Sequence, residues 1–85
     1  MKHDIEWSEE IYAEFCRAAM LSELDRKILR MRIMDETIQY QALEAHIGTA
    51  TVSRHVCSMQ RKYDAVQKRS SILPERQPRK RKKAA

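Results

Sequence analysis

Gly48-Thr49-Ala50-Thr51-Val52-Ser53-Arg54 is the stretch on which the fold turns. It opens an apolar pattern that continues through Val52, Val56, Met59 and Tyr63 at i, i+4, i+7 and i+11, the spacing of one helix face. Ser53, Arg54, Cys57 and Arg61 fall mostly on the other side. Small residues at a helix start let the backbone come close to a surface, and hydroxyls and an arginine fork can reach phosphates and base edges. These are the needs of an element entering the major groove of DNA. Upstream, Thr37 is placed to cap a shorter helix whose buried line is Ile38, Ala42 and Ala45, both alanines allowing another helix close. Ile47-Gly48 reads as the turn, with Gly48 relieving backbone strain and Thr49 as N-cap of the longer helix. Residues 37–64 therefore read as a helix-turn-helix.

Working outward, two more helices precede it. Ser8 caps a first helix running to about Met20, with Glu9 and Glu10 at the positive end of its macrodipole. Trp7 and Tyr12 stand in the places of a hydrophobic staple, and Ile11, Phe15 and Ala18 share one face. Ser22 caps the second helix, with Asp25 three positions on as a variant capping box. There Leu24, Ile28 and Met31 form one apolar row and Leu29 and Ile33 a second, a breadth that implies two packing neighbours. Arg26, Lys27 and Arg30 face water. The expectation is an all-α, four-helix domain over residues 1–64, ending in the helix-turn-helix, followed by a basic, disordered tail over 65–85. Within that tail, the triplet Ile72-Leu73-Pro74 is apolar enough to dock back on the core.

The chain has 85 residues and a net charge of +5, unevenly spread. Residues 1–36 carry six Lys/Arg against nine Asp/Glu, while residues 65–85 carry eight against one. A basic tail behind a near-neutral domain suits a polyanion, nucleic acid first and a membrane surface second. One Gly, and no Pro before Pro74, leave little room for hairpins. Cys16 and Cys57 fit no metal or redox spacing and read as reduced, half-buried thiols of a cytoplasmic protein. No stretch has the pattern of a signal peptide or the length of a membrane span.

The residues 21–32, Leu-Ser-Glu-Leu-Asp-Arg-Lys-Ile-Leu-Arg-Met-Arg, resemble the opening of the promoter-recognising fourth region of bacterial sigma factors. The stretch 48–54 is similar to the recognition-helix start of Trp-repressor-like proteins. Closer still is the likeness to short sigma-like proteins of bacterial genomes and prophages, with their Trp-bearing first helix and a Lys-Tyr-Asp ending, here Lys62-Tyr63-Asp64. This resemblance spans about 7–64 and implies a helix-turn-helix fold, DNA as partner and RNA polymerase as a second one. Two positions depart from the pattern: His46 stands where the turn usually has Gly, and Gln41 where an aliphatic residue is usual. Nothing carries over for tryptophan binding.

The expected base contacts are Thr49, Ala50, Ser53, Arg54 and Cys57, with Arg54 the most direct reader because arginine pairs bidentately with guanine. The expected phosphate contacts are Thr37, Gln39, Thr51, Arg61 and the tail residues Arg79, Lys80, Arg81, Lys82 and Lys83. An ordinary solvated helix face and a solubilising tail are the plainer alternatives for the same residues. No cofactor or metal is expected, since His3, His46, His55 and the two cysteines match no ligand spacing. No catalysis is expected either, since Glu9, Glu10 and Glu14 lie on a solvent-facing helix. The reading is sequence-specific binding of double-stranded DNA, in transcriptional regulation. Its rivals are a protein-interaction module docking on RNA polymerase and a phage or mobile-element accessory factor. A homodimer through the first helix and a monomer with that helix in its core both stand open.

Overall fold

Four helices make up the fold: α1 Glu9–Ala18, α2 Glu23–Ile33, α3 Ile38–Ala45 and α4 Thr49–Gln67. The computed structural model describes residues 5–76, and the fold is all-α, with no strand among the described residues. The first three helices start as their sequences dictate. Ser8, Ser22 and Thr37 hold extended backbone, and each side-chain oxygen accepts from the N–H three residues on, at 3.2, 3.1 and 3.1 Å. Each cap satisfies one of the orphan donors of a first turn, worth about 1 kcal/mol.

The same three helices stop in one way, and it is not through glycine. Met20, Asp35 and His46 take left-handed backbone, with φ of 51°, 68° and 59°. After each, the chain closes a pair of reversed hydrogen bonds. Leu21 N–H donates to Cys16 and Met20 N–H to Arg17; Glu36 donates to Met31 and Asp35 to Arg32; Ile47 donates to Ala42 and His46 to Leu43. This is the Schellman pattern, which occupies carbonyls that the helix end would leave bare. Gly48, expected to relieve strain, has an ordinary φ of −79°, and it, rather than Thr49, is the N-cap of α4. The strain of the turn sits on His46. Left-handed backbone costs a residue with a Cβ roughly 1 kcal/mol or more. Accordingly, His46→Gly is expected to raise stability by about 0.5–1 kcal/mol, read as an increase in melting temperature. A lower melting temperature would contradict this account of the turn.

α4 packs against all three other helices. Its stripe of Val52, Val56, Met59 and Tyr63 is buried as its spacing predicts, against Phe15 from α1 and Ile28 and Leu29 from α2. α2 packs chiefly on α3 and α4, and α1 reaches it through Tyr12 and Glu9. The Trp7 ring meets Phe15 and Tyr63, at centroid distances of 6.1 and 6.0 Å, and Phe15 meets Tyr63 edge-on at 5.0 Å. Tyr12 turns to α2, its hydroxyl donating to the Arg26 carbonyl and its ring lying under the Arg30 guanidinium. Phe15 and Cys16 are buried, and Trp7, Ile11 and Tyr12 are partly buried against the core.

The domain also extends past Asp64. α4 continues to Gln67, and Leu73 folds back into the core, 4% exposed, while Ile72 stays outside. Ser70 Oγ accepts from the N–H groups of Ile72 and Leu73, turning the chain, and the Tyr63 hydroxyl donates to the Pro74 carbonyl. Arg76 closes the segment with two hydrogen bonds to the Asp64 carboxylate, at 3.0 and 2.9 Å, which hold that carboxyl below its ordinary value. Residues 65–76 therefore belong to the domain and not to a tail. The basic run 79–83 lies outside the described residues.

Candidate nucleic-acid interface

The outer side of α4 is determined by its inner side. Because Val52, Val56, Met59 and Tyr63 point into the core, Thr49, Ala50, Ser53, Arg54, Cys57 and Arg61 are exposed as one row. Thr51 lies half-buried beside it. No Asp or Glu occurs between Gly48 and Tyr63, so nothing on the helix itself neutralises the row. Arg54 and Arg61 have no hydrogen-bond or ion-pair partner among the described residues, whereas Arg17, Arg30 and Arg76 are each tied to a carboxylate. The α4 start differs from the other three. Gly48 offers no side chain to cap it, so the first-turn N–H groups are left for an external acceptor, at the positive end of a 19-residue helix. An exposed, carboxylate-free row with two unengaged guanidinium groups and open backbone donors favours an anionic partner.

α3 brings Thr37 and Gln39 to the surface at its own start, three residues of turn before α4. The Thr37 oxygen accepts from Tyr40 N–H as the cap, and its hydroxyl proton remains free to donate outward. Arg79, Lys80, Arg81, Lys82 and Lys83 lie outside the described residues, so their place relative to this row is not set. The two cysteines separate: Cys57 is fully on the exposed row, while Cys16 is buried. Burial pushes the Cys16 thiol up, so it stays protonated and unreactive.

Two residues that matter here were not legible in their own neighbourhoods. Asp25, read as part of a capping box, is buried, and its carboxylate crosses to α4, with Oδ1 2.7 Å from His55 Nδ1 and Oδ2 3.8 Å from Lys62 Nζ. Its partner stands 30 positions along the chain, beyond the reach of any local pattern. Gln41, at 1% exposure, fills an interior place under α3; its Nε2 donates to the Glu36 carbonyl at 2.8 Å, while its Oε1 is unpartnered among the described residues. It ties α3 to the connection between α2 and α3.

Among the described residues no group of three or more His, Cys, Asp or Glu side chains converges on a metal site, and no helix is long and apolar enough to cross a membrane. Glu9 and Glu14 engage Arg30 and Arg17. No known protein-family model matches the chain, and no curated protein or solved structure is significantly similar to it.

Proposed function

We propose that this protein binds double-stranded DNA sequence-specifically as a helix-turn-helix regulator of transcription, α3 and α4 being the paired helices. The observation that carries this reading is the exposed, carboxylate-free row on α4, presented behind an uncapped helix start. In this arrangement α4 enters the major groove, and Thr49, Ala50, Ser53, Arg54 and Cys57 meet base edges. Thr37, Gln39, Thr51 and Arg61 meet phosphates on either side. The basic run 79–83 adds affinity without selectivity, each phosphate neutralised lowering log K by about 0.9 per tenfold rise in salt.

The test is selection of duplexes from a random library by the purified chain at near-physiological salt. An enriched motif supports a specific reader, and binding without enrichment removes sequence specificity from the proposal. On a selected site, Arg54→Ala is expected to cost about 1–3 kcal/mol and to relax preference at one position. Removal of 79–83 should weaken all duplexes alike. Equal losses for both variants on every sequence would end that division of labour.

A second reading has its own observation. Met34, Tyr40 and Leu43 are exposed, at 68%, 43% and 72%, and Met34 and Tyr40 line a groove of about 270 Å³ between α2 and α3 with Lys27, Arg30 and Met31. Methionine and aromatic side chains on a surface favour a protein partner. Docking on RNA polymerase, with DNA contacted only in that complex, is therefore the alternative. Purified chain that binds no duplex until polymerase is added would select it.

A further inference from the structure

A second polar row runs along α4, beside the outward one. Thr51, His55, Ser58 and Lys62 fall at i, i+4, i+7 and i+11, so they share one flank of the helix. Each carries a hydrogen-bond donor, and Lys62 lies about 10.5 Å along the axis from His55. Flanking rows of this kind meet the sugar–phosphate backbone when the central row of a helix meets the bases. What distinguishes this flank is the carboxylate behind it. Asp25 is 6% exposed, and one oxygen holds His55 while the other faces Lys62.

That geometry determines what the imidazole can do. An ionised carboxylate only accepts, so the 2.7 Å contact requires the proton on Nδ1 of His55. Nε2 is then the ring nitrogen without a partner among the described residues, on a side chain that is one-third exposed. Neutral, Nε2 is an acceptor and repels a phosphate oxygen; protonated, it is a donor. The charge of the cluster changes in the same sense. Asp25 and Lys62 cancel, so the proton on His55 makes the group net positive. Asp25 is the only charged group in hydrogen-bond or ion-pair contact with His55 among the described residues, and Lys62 meets that same carboxylate on its other oxygen; α1 and α3 contribute none.

We propose that His55 is a proton-dependent phosphate contact on the flank of α4, positioned by the buried carboxylate of Asp25 and continued by Lys62. The assignment rests on the DNA reading above and adds to it which side of α4 lies along a phosphate strand. Binding and protonation are linked, so the phosphate favours the imidazolium and the imidazolium favours the phosphate. Affinity is then highest at the acid end and is lost as pH rises through the midpoint of the bound state.

The experiment measures the affinity of the full chain for a selected duplex, or for mixed-sequence duplex if none is enriched, at constant ionic strength between about pH 5 and pH 8. Wild-type protein should bind roughly tenfold more tightly at the acid end, the worth of one charge-assisted hydrogen bond. His55→Gln keeps a donor for Asp25, so it folds, yet should lose the pH response. His3→Asn and His46→Asn should retain it. The imidazole resonances of His55, followed by NMR, should show a protonation midpoint that rises on adding duplex. A mere α2–α4 staple titrates alike in the free and bound states. Equal midpoints, a flat wild-type profile, or a response that survives His55→Gln overturns the assignment and leaves DNA binding standing. Failure to bind any duplex at any pH removes the DNA reading itself, and this proposal with it.

Discussion

Tyr63→Ala is expected to leave little folded protein at physiological temperature. Tyr63 is fully buried where α4, α1 and the returning C-terminal segment meet, with Phe15 and Trp7 against its ring and the Pro74 carbonyl on its hydroxyl. Removing a large aromatic side chain from such a place costs about 3–5 kcal/mol, since the cavity cannot collapse against rigid neighbours. At roughly 0.05–0.15 kcal/mol per residue, a chain of 85 residues holds about 4–13 kcal/mol in total, so the loss removes a large share of it. Tyr63→Phe separates ring from hydroxyl and should cost only about 1 kcal/mol. The hydroxyl has a second signature. Burial pushes its pKa up to about 12 from the ordinary 10.0, so the folded state prefers the protonated phenol. Its contribution is fully present below pH 10 and is lost as pH rises from 10 towards 12, a loss that Tyr63→Phe should lack. Tyr12, whose phenol burial also raises, supplies what remains of the alkaline transition. Chemical denaturation of the three proteins, with an alkaline series for two of them, checks both parts. A Tyr63→Ala protein within 1 kcal/mol of wild type, on the order of a surface change, would refute the central place given to this ring.

Ending the chain after Ser70 is the next largest expected loss, about 2–4 kcal/mol. The removed stretch contains Leu73, whose burial is worth about 1.5–3 kcal/mol, and the acceptor for Tyr63. The Arg76–Asp64 pair goes as well, but Asp64 is half-exposed and such pairs contribute little. Leu73→Ala in the full chain isolates the packing part and should account for most of the effect. A truncated protein that melts with the wild type would show that 71–76 rests on the domain without supporting it.

The helix starts and the inward stripes were legible in the sequence because both are local. Ser8, Ser22 and Thr37 cap through a bond to the third residue on, and Val52 to Tyr63 repeat with the period of one helix. The outward row on α4 followed by subtraction. The helix stops were less legible: Met20 does not announce left-handed backbone, Asp35 and His46 favour it only weakly, and the single Gly drew attention two positions too late. Leu73 was visible only as an apolar residue near a proline, since nothing nearby says that a place in the core awaits it.

By itself, the sequence determined that the described chain is helical, where its helices begin, and which side of each faces inward. Those are properties of residues within a turn or two of each other, decided by backbone hydrogen bonding and by the cost of leaving apolar side chains in water. Only the tertiary structure decided that Asp25 serves α4 and not its own cap, that Gln41 lies inside, and that the domain closes over Tyr63 with residues 70–76. Each of these joins groups far apart in the chain. A buried carboxylate or amide takes whichever partner the packed helices bring within reach, because leaving it without one in the interior costs more than any local preference it gives up.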